Sequence, residues 1–261
     1  MKIAIAGKGG VGKTTLTGLL ARHFAEAGRR VLAIDADPDA NLASMLPLDT
    51  GSAPKPLAAR ADLIDQLSGR GALPSGMIVL NPDIGEVLPQ LRAHWGGGHG
   101  LLVLGWHKGG GGGCYCAENA VLKRVLSSVI PGAEDVVLVD SEAGLEHLSR
   151  GTAAAVDAVI AVVQPGARSV ETAFAIRELA QDLGIATIVP VLVGGRGQID
   201  IDKVQARLGD WRLLDVLPHD ETIRLADLLG RPPEIPDAFR PALARIAAAL
   251  DANHAGCSHD S

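Results

Sequence analysis

A glycine-rich segment between a predicted strand and a predicted helix constrains this chain more than any other feature. Residues 7–15 read GKGGVGKTT and match the pattern G-x-x-x-x-G-K-[ST] at every position. The segment follows the apolar strand Lys2–Ala6 and precedes a helical stripe of apolar residues over Lys13–Ala27. Glycines allow the tight turn that aims successive backbone N–H groups inward, and a helix N-terminus favours an anion. The segment therefore predicts a loop that binds the phosphates of a nucleoside triphosphate.

Lysine and threonine side chains give this loop its predicted chemistry. The Lys13 ammonium is expected to reach the β- and γ-phosphates, and the Thr14 hydroxyl is expected to ligate Mg²⁺. Lys8 adds a second positive charge, which is unfavourable there unless an anion neutralises it. The structural alternatives are a glycine-rich turn with an incidental lysine, and a Lys8 that is merely exposed. The remaining predicted nucleotide contacts come from the loop and the first helical turn: Gly9, Gly10, Val11, Gly12 and Thr15.

Apolar runs of strand length alternate with helix-period segments along the rest of the chain. Because these runs lack polar alternation, they suit a parallel sheet covered by helices on both faces. We predict one doubly wound, mostly parallel α/β domain of the P-loop ATPase class over residues 1–252, with a glycine-rich insert at 94–113 and a loose tail at 253–261. The predicted strands are Lys2–Ala6, Val31–Ile34, Met77–Leu80, Leu101–Leu104, Val136–Val139, Ala158–Val163, Thr187–Val193 and Leu213–Leu217. The predicted helices are Lys13–Ala27, Leu57–Leu67, Glu118–Val129, Val170–Leu183, Ile201–Leu208, Glu221–Leu229 and Asp237–Ala252.

Acidic residues follow the strand Val31–Ile34, at the edge of the sheet where ligands of open α/β folds bind. The sequence there reads Asp35-Ala36-Asp37-Pro38-Asp39. We expect Asp35 to hold a water bound to Mg²⁺. For Asp37 and Asp39, the alternative is N-capping of the next helix.

A second acidic residue, Asp140, ends the apolar strand Val136–Val139 and begins a D-x-x-x-G pattern that closes at Gly144. Many strands end in aspartate, so the pattern alone is weak evidence for a Mg²⁺ site. It becomes stronger evidence because a phosphate-binding loop precedes it in the chain. We expect Asp140 to support Mg²⁺ through water and the Gly144 N–H to donate to the γ-phosphate. Phosphoryl transfer needs mainly positioning and charge neutralisation, and these parts supply both.

The cysteines point to a metal rather than to disulfides, since the chain has only three of them. Cys114 and Cys116 form a C-x-C pair directly after five consecutive glycines at 109–113. Two thiolates make half of a tetrahedral site, and a two-fold dimer would supply four. Such a site suits Zn²⁺, Cu(I), Ni²⁺ or an iron–sulfur cluster. The alternative is a pair of buried apolar cysteines.

Charge and hydropathy exclude several other functions. The net charge of −6 argues against binding nucleic acid or an anionic membrane by bulk charge, although a local basic patch stays open. No apolar run approaches the length of a membrane span, and we expect a cytoplasmic protein without membrane insertion. The pattern His254-x-x-Cys257-x-His259 is either a metal clamp or a chance cluster in a loose tail. Metal binding is also open for three histidines of the insert: His94, His99 and His107.

The loop K-G-G-x-G-K-T-T resembles the deviant Walker A loop of the ATPases that include MinD, ParA, the nitrogenase iron protein and the arsenite and tail-anchored-protein ATPases. The resemblance implies a homodimer closed around nucleotide, in which Lys8 reaches the phosphates of the partner subunit. The segment D-x-D-P-x-x-N-L resembles the switch I of this family. By that resemblance, Asp37 orients or deprotonates the attacking water.

Two further strings resemble the CooC-type ATPases, which assist nickel insertion into carbon monoxide dehydrogenase. They are CYCAEN at 114–119 and DSEAGLEHLSRGT at 140–152. The resemblance implies that Cys114 and Cys116 of two copies bind Ni²⁺ or Zn²⁺ at the dimer interface, with a nickel-dependent carbon monoxide dehydrogenase or a related enzyme as client. We hypothesise that Asp140–His147 couples ATP hydrolysis to metal release. The alternatives are a MinD- or ParA-like positioning ATPase and an iron–sulfur reductase of the nitrogenase iron protein type.

The base-binding region departs from this family. Where its members commonly have an asparagine that reads adenine, this chain has Val193-Gly194-Gly195-Arg196. We therefore expect the backbone near Pro218, in the stretch Leu217–Asp220, to contact the base. The choice between ATP and GTP stays open at this point.

Overall fold

The computed structural model describes residues 1–37, 39–69, 77, 79, 85, 87–105, 135–141 and 156–257. The strands are β1 (Lys2–Gly7), β2 (Val31–Asp35), β3 (Ala93–Trp95), β4 (His99–Val103), β5 (Val136–Asp140), β6 (Ala158–Val163), β7 (Thr187–Gly195) and β8 (Asp215–Pro218). The α-helices are α1 (Lys13–Glu26), α2 (Ala61–Ser68), α3 (Leu88–Leu91), α4 (Ala167–Asp182), α5 (Gln198–Leu208), α6 (Glu221–Leu228) and α7 (Arg240–Cys257). Short 3₁₀ helices cover Leu42–Met45, Leu57–Ala59 and Asp237–Phe239.

These strands form one sheet in the order β3-β4-β2-β5-β1-β6-β7-β8. Each neighbouring pair is parallel except β3–β4, which is antiparallel. β1 lies between β5 and β6, so the glycine-rich loop that follows it emerges in the middle of the sheet. The central strands are buried along their whole length, as expected for a parallel sheet with both faces covered.

Helices pack on both faces of the sheet. On one face, Leu16 and Phe24 of α1 and Leu243 and Ile246 of α7 belong to one buried cluster with Ile5 of β1. On the other face, two buried clusters join the sheet to helices α2, α4 and α5 through Leu63, Leu67, Val170, Ile176 and Val204. The structure confirms the predicted class, a doubly wound and mostly parallel α/β domain.

The region before the long glycine run differs from its prediction. Met77 and Val79 lie in no strand, and Met77 is 61% exposed, so these residues do not form the strand that Met77–Leu80 predicted. The Val79 N–H instead donates to the Ser68 carbonyl at the end of α2. The edge of the sheet is taken by β3, which the sequence analysis placed in a loop. Glycines at 96–98 form the turn of a β3–β4 hairpin there, and its strands are held by the buried Trp95.

Helix α7 also extends further than predicted. It continues through Cys257, so residues 253–257 of the predicted tail are helical. The Asn253 side chain donates to the Ala249 carbonyl at 2.8 Å, one turn earlier. The predicted helix Glu118–Val129 lies outside the described residues. Among the described helices, none is long and apolar enough to cross a membrane.

Candidate nucleotide-binding site

A cavity of about 770 Å³ opens at the carboxyl ends of the strands, where the glycine-rich loop meets the loops after β2, β6 and β8 and the last residues of β7. This is the edge at which open α/β folds bind their ligands. The cavity is lined by Gly9, Gly10, Gly12, Lys13, Thr14, Thr15, Asp37, Asp39, Asn41, Ser44, Met45, Gln164, Val193, Gly194, Pro218, His219, Asp220, Ile223, Arg224, Asp227 and Phe239.

The loop backbone has the geometry that an anion site needs. Gly10 and Gly12 have φ angles of 78° and 92°, a conformation that residues with a side chain rarely adopt. A Cβ on Gly12 would also lie 2.9 Å from Val193 Cγ1, so the close packing of β7 against the loop requires glycine there. No side chain caps α1, which leaves its first backbone N–H groups available to a bound phosphate.

The two loop lysines lie in different surroundings. Lys13 is only 6% exposed, and its ammonium donates to the Lys8 carbonyl at 3.4 Å. A buried ammonium with so few partners is electrostatically suited to a phosphate group. The Lys8 residue itself is exposed at the surface of the loop.

Asp140 supplies the strongest sign of a cation site. It is fully buried, and its Oδ2 atom has no hydrogen-bond partner. Burial raises the pKa of Asp140 to about 7, although the Thr14 side chain and the Lys13 ammonium favour its charged form. A buried carboxylate oxygen without a partner is unfavourable in the unliganded protein and favours a hydrated cation beside it. Asp140 and Thr14 therefore fit the predicted Mg²⁺.

Asp35 lies directly opposite Asp140 in the β2–β5 ladder and is also fully buried. Its two oxygens accept the backbone N–H groups of Asp37 at 3.2 Å and of Leu42 at 2.8 Å. Burial raises its pKa to about 6, against the effect of those two hydrogen bonds. Besides any contact with a Mg²⁺-bound water, Asp35 thus stabilises the loop that carries Asp37 by hydrogen bonds to the backbone near both of its ends.

Asp37 itself is half-buried and faces the cavity. Its Oδ1 atom accepts the Asp39 N–H at 2.9 Å, which closes a local turn. The next helix begins after Asn41 and has no side-chain cap, so the structure does not support N-capping by Asp37 or Asp39. Asp37 therefore lines the same cavity as Lys13 and Thr14 of the phosphate-binding loop.

Another part of the cavity is lined by the ends of β7 and β8 and by the segment that follows β8. Pro218, the residue predicted to contact the base, lines the cavity there, as do the apolar side chains of Val193, Ile223 and Phe239. Asp220 is engaged as the N-cap of α6, since its carboxylate accepts the Thr222 N–H at 2.7 Å.

Several lining residues were missed by the sequence analysis. Gln164 follows β6 directly, so the same edge-of-sheet argument that found Asp35 and Asp140 could have found it. Met45, Arg224 and Asp227 carried no such signal, because they reach the cavity from helices packed beside it.

The predicted metal pair lies outside the described residues, as does Gly144. Within the described parts of the chain, no group of three or more His, Cys, Asp or Glu residues could hold a metal ion. His254 lies on α7 with its Nδ1 atom 3.5 Å from Asp157 Oδ2. The clamp predicted from His254, Cys257 and His259 is untested, because the Cys257 and His259 side chains are outside the described set.

Comparison with known proteins agrees with this geometry. Residues 2–233 match the family described as the CobQ/CobB/MinD/ParA nucleotide binding domain. The carbon monoxide dehydrogenase accessory protein CooC of Rhodospirillum rubrum is 40% identical over 232 residues, which are 88% of each chain. An uncharacterised ATP-binding protein of Methanocaldococcus jannaschii is 35% identical over 89% of this chain and 90% of its own.

Solved structures of cell-division ATPases share the fold. MinD of Pyrococcus furiosus has a TM-score of 0.66 at 24% identity, covering 95% of this chain and 98% of its own. MinD of Pyrococcus horikoshii, solved in complex with Mg-ADP, has a TM-score of 0.62 at 26% identity, covering 88% of this chain and 86% of its own.

Proposed function

The chain belongs to the CobQ/CobB/MinD/ParA nucleotide-binding family and is an ATPase, and we propose that it uses ATP hydrolysis to assist nickel insertion into carbon monoxide dehydrogenase or a related nickel enzyme. The observation that carries this proposal is the 40% identity to the CooC accessory protein over 88% of both chains. The nucleotide site described above supplies the hydrolytic part of the function.

Hydrolysis in this proposal depends on Lys13, Thr14 and Asp37, which line the cavity, and on the buried carboxylates Asp35 and Asp140. The loop backbone and the Lys13 ammonium hold the phosphates and neutralise their charge. Thr14 would ligate Mg²⁺ and Asp140 would support it through water, and the ion would add charge neutralisation at the phosphates. Asp37, which also lines the cavity, orients the attacking water. The position of the Asp37 carboxylate is set by its loop, which is held by the hydrogen bonds to Asp35.

The metal is cargo in this proposal, held by thiolates from two copies of the chain. Cys114 and Cys116 of each copy supply two ligands, so four thiolates complete a tetrahedral site for Ni²⁺ or Zn²⁺. The exposed Lys8 reaches the phosphates bound by the partner subunit, which links nucleotide binding to dimer closure. Hydrolysis then reopens the dimer through Asp140–His147 and releases the metal to its client.

A positioning ATPase is the second candidate, because MinD proteins share this fold. A membrane-bound ATPase of that type would need a C-terminal amphipathic helix free to bind lipid. Here the apolar residues Leu243, Ile246 and Leu250 of α7 are buried in the core. Its two arginines are engaged as well: Arg240 pairs with Glu26 and Arg245 with Asp215, each at 2.6 Å. The apolar face of α7 is therefore not free to bind lipid in this structure.

Replacing both Cys114 and Cys116 with alanine tests the proposal. We expect the double variant to bind ATP as well as the unchanged protein and to lose stoichiometric nickel, because the phosphate-binding residues stay while all four thiolates disappear. Anaerobic metal analysis after nickel loading with MgADP or a non-hydrolysable ATP analogue measures this.

The third cysteine provides the matched control. Cys257→Ala removes one thiol from the C-terminal helix and should leave nickel stoichiometry unchanged. Stoichiometric nickel retained by the Cys114→Ala/Cys116→Ala variant would refute the assignment. Loss of nickel binding in Cys257→Ala, with nickel binding retained in the double variant, would also refute the assignment.

A further inference from the structure

Gln164 is a cavity residue to which the function described above gives no task. It directly follows β6, which is paired in parallel with β1 so that Val162 lies beside Gly7. This register brings Gln164 next to the phosphate-binding loop. Its Nε2 atom donates to the Gly10 carbonyl at 3.3 Å.

The main chain of Gln164 is anchored from the other side. Its backbone N–H donates to the Ser169 Oγ atom at 2.9 Å, and Ser169 lies in the first turn of α4. Ser169 is only 5% exposed, so water competes little for this hydrogen bond. Gln164 is therefore held by a core helix while its side chain reaches the loop.

Gly10 is a position at which such a contact matters. Its φ angle is 78°, it is exposed, and an ideal Cβ built on it would meet no atom within 4 Å. Side-chain packing therefore does not restrict the backbone conformation of Gly10, and glycine has more backbone freedom than any other residue type. By contrast, the next residue, Val11, is only 2% exposed and fixes one end of the peptide unit.

The orientation of the Gly10 carbonyl determines where the Val11 N–H points, because both belong to one planar trans peptide. In the structure the Val11 N–H is directed at the Lys8 carbonyl, at 3.4 Å. The Lys13 ammonium donates to the same carbonyl. The Gln164 hydrogen bond therefore keeps the Val11 N–H on the side of the loop where the Lys13 charge lies.

We propose that Gln164 is a positioning residue for ATP binding, which holds the Gly10–Val11 peptide of the phosphate-binding loop in the orientation seen in the structure. Gln164 acts through the loop and does not touch the reacting atoms. Since the loop holds the phosphates both before and during transfer, loss of this contact weakens ground state and transition state alike. The proposal rests on the ATPase activity and is independent of the nickel function.

Gln164→Met tests the proposal, because methionine keeps the length of the side chain and removes the donor without adding charge. We expect KM for ATP to rise about 2- to 10-fold, the effect of one net hydrogen bond. The kcat value should stay within about twofold, since the contact is the same in both states. Steady-state kinetics at saturating Mg²⁺, with the melting temperature of the nucleotide-free protein, measure both quantities.

The matched control is Gln205→Met. The Gln205 Nε2 atom also donates to a glycine carbonyl, that of Gly209 at 3.0 Å, but on α5 away from the cavity. This variant should leave KM unchanged even if its melting temperature falls. Gln164→Ala serves as a second variant should the methionine pack poorly. An unchanged KM in a folded Gln164 variant, an equal KM rise in Gln205→Met, or a fall in kcat alone would overturn the proposal.

Discussion

Replacing Lys13 with glutamine lowers kcat/KM for MgATP by about 10²–10³-fold, the usual effect of removing one preorganised group that stabilises developing charge. The ammonium is nearly inaccessible to solvent and lies inside the phosphate-binding loop, where its charge is weakly screened. Glutamine keeps most of the side-chain length but has no charge. The fold should persist, because in the unliganded protein the ammonium makes one long hydrogen bond to the Lys8 carbonyl.

Two other lysines separate this effect from a general loss of charge. Lys55→Gln removes an exposed cation outside the cavity lining and should leave hydrolysis unchanged. Lys8→Gln should keep ATP binding by a single chain and lose the hydrolysis that depends on dimer closure. Steady-state kinetics and calorimetric titration with ATP measure these outcomes. A Lys13→Gln variant that hydrolyses ATP at close to the normal rate would contradict the site.

Replacing Asp140 with asparagine should abolish Mg²⁺-dependent hydrolysis and, at the same time, stabilise the nucleotide-free protein above neutral pH. The first effect follows from loss of the buried carboxylate charge that the cation needs. The second follows because a buried carboxylate with an orphaned oxygen is unfavourable when ionised. An amide of the same shape removes that charge.

The pH dependence of this second effect has a definite sign. The pKa of Asp140 is raised from 3.8 to about 7, chiefly by burial. Between these values the native protein holds a proton that the unfolded chain has released, so the free energy of unfolding falls as pH rises. The Asp140→Asn substitution would remove this pH-dependent loss in the free energy of unfolding. The loss is up to about 4 kcal/mol at pH 8, since each pKa unit corresponds to about 1.4 kcal/mol.

Thermal melts at pH 5 and pH 8 without nucleotide test this account. The melting temperature of Asp140→Asn should exceed that of the unchanged protein by several degrees at pH 8 and by a smaller margin at pH 5, where only part of the loss has developed. Asp135→Asn, at the exposed opposite end of β5, is the control and should leave hydrolysis intact. A variant that keeps full activity at saturating Mg²⁺ would show that Asp140 does not support the cation. A variant that is less stable than the unchanged protein at pH 8 would contradict the unfavourable burial of the Asp140 charge.

Local sequence signals predicted the centre of the fold well. β1, the glycine-rich loop and α1 follow from a single motif, and β5 and β6 are continuous apolar runs. The strand that became β4 was predicted as Leu101–Leu104, but β3 and the hairpin turn between them were missed. Three glycines in a row resemble a flexible loop unless the buried Trp95 nearby is known to pack. The extension of α7 was missed because its last turns carry polar residues.

The same division holds for the candidate site. Asp35, Asp37 and Asp140 could be placed together because parallel strands bring their carboxyl ends to one edge. Asp35 also accepts hydrogen bonds from the backbone of the loop that follows it. This role could not be predicted, because no sequence pattern specifies that the loop returns to place the Leu42 N–H beside Asp35. Likewise, Arg224 and Phe239 line the cavity only because α6 and the segment before α7 pack beside it.

The central claim is that two copies of the chain, each holding ATP, build one metal site between them. Native mass spectrometry of the protein with Ni²⁺ and a non-hydrolysable ATP analogue tests this directly. The account predicts a complex of two chains, two nucleotides and one nickel ion, and its replacement by single chains when the analogue is omitted. A single chain that holds both nucleotide and nickel, or a dimer with one nickel in each subunit, would contradict it.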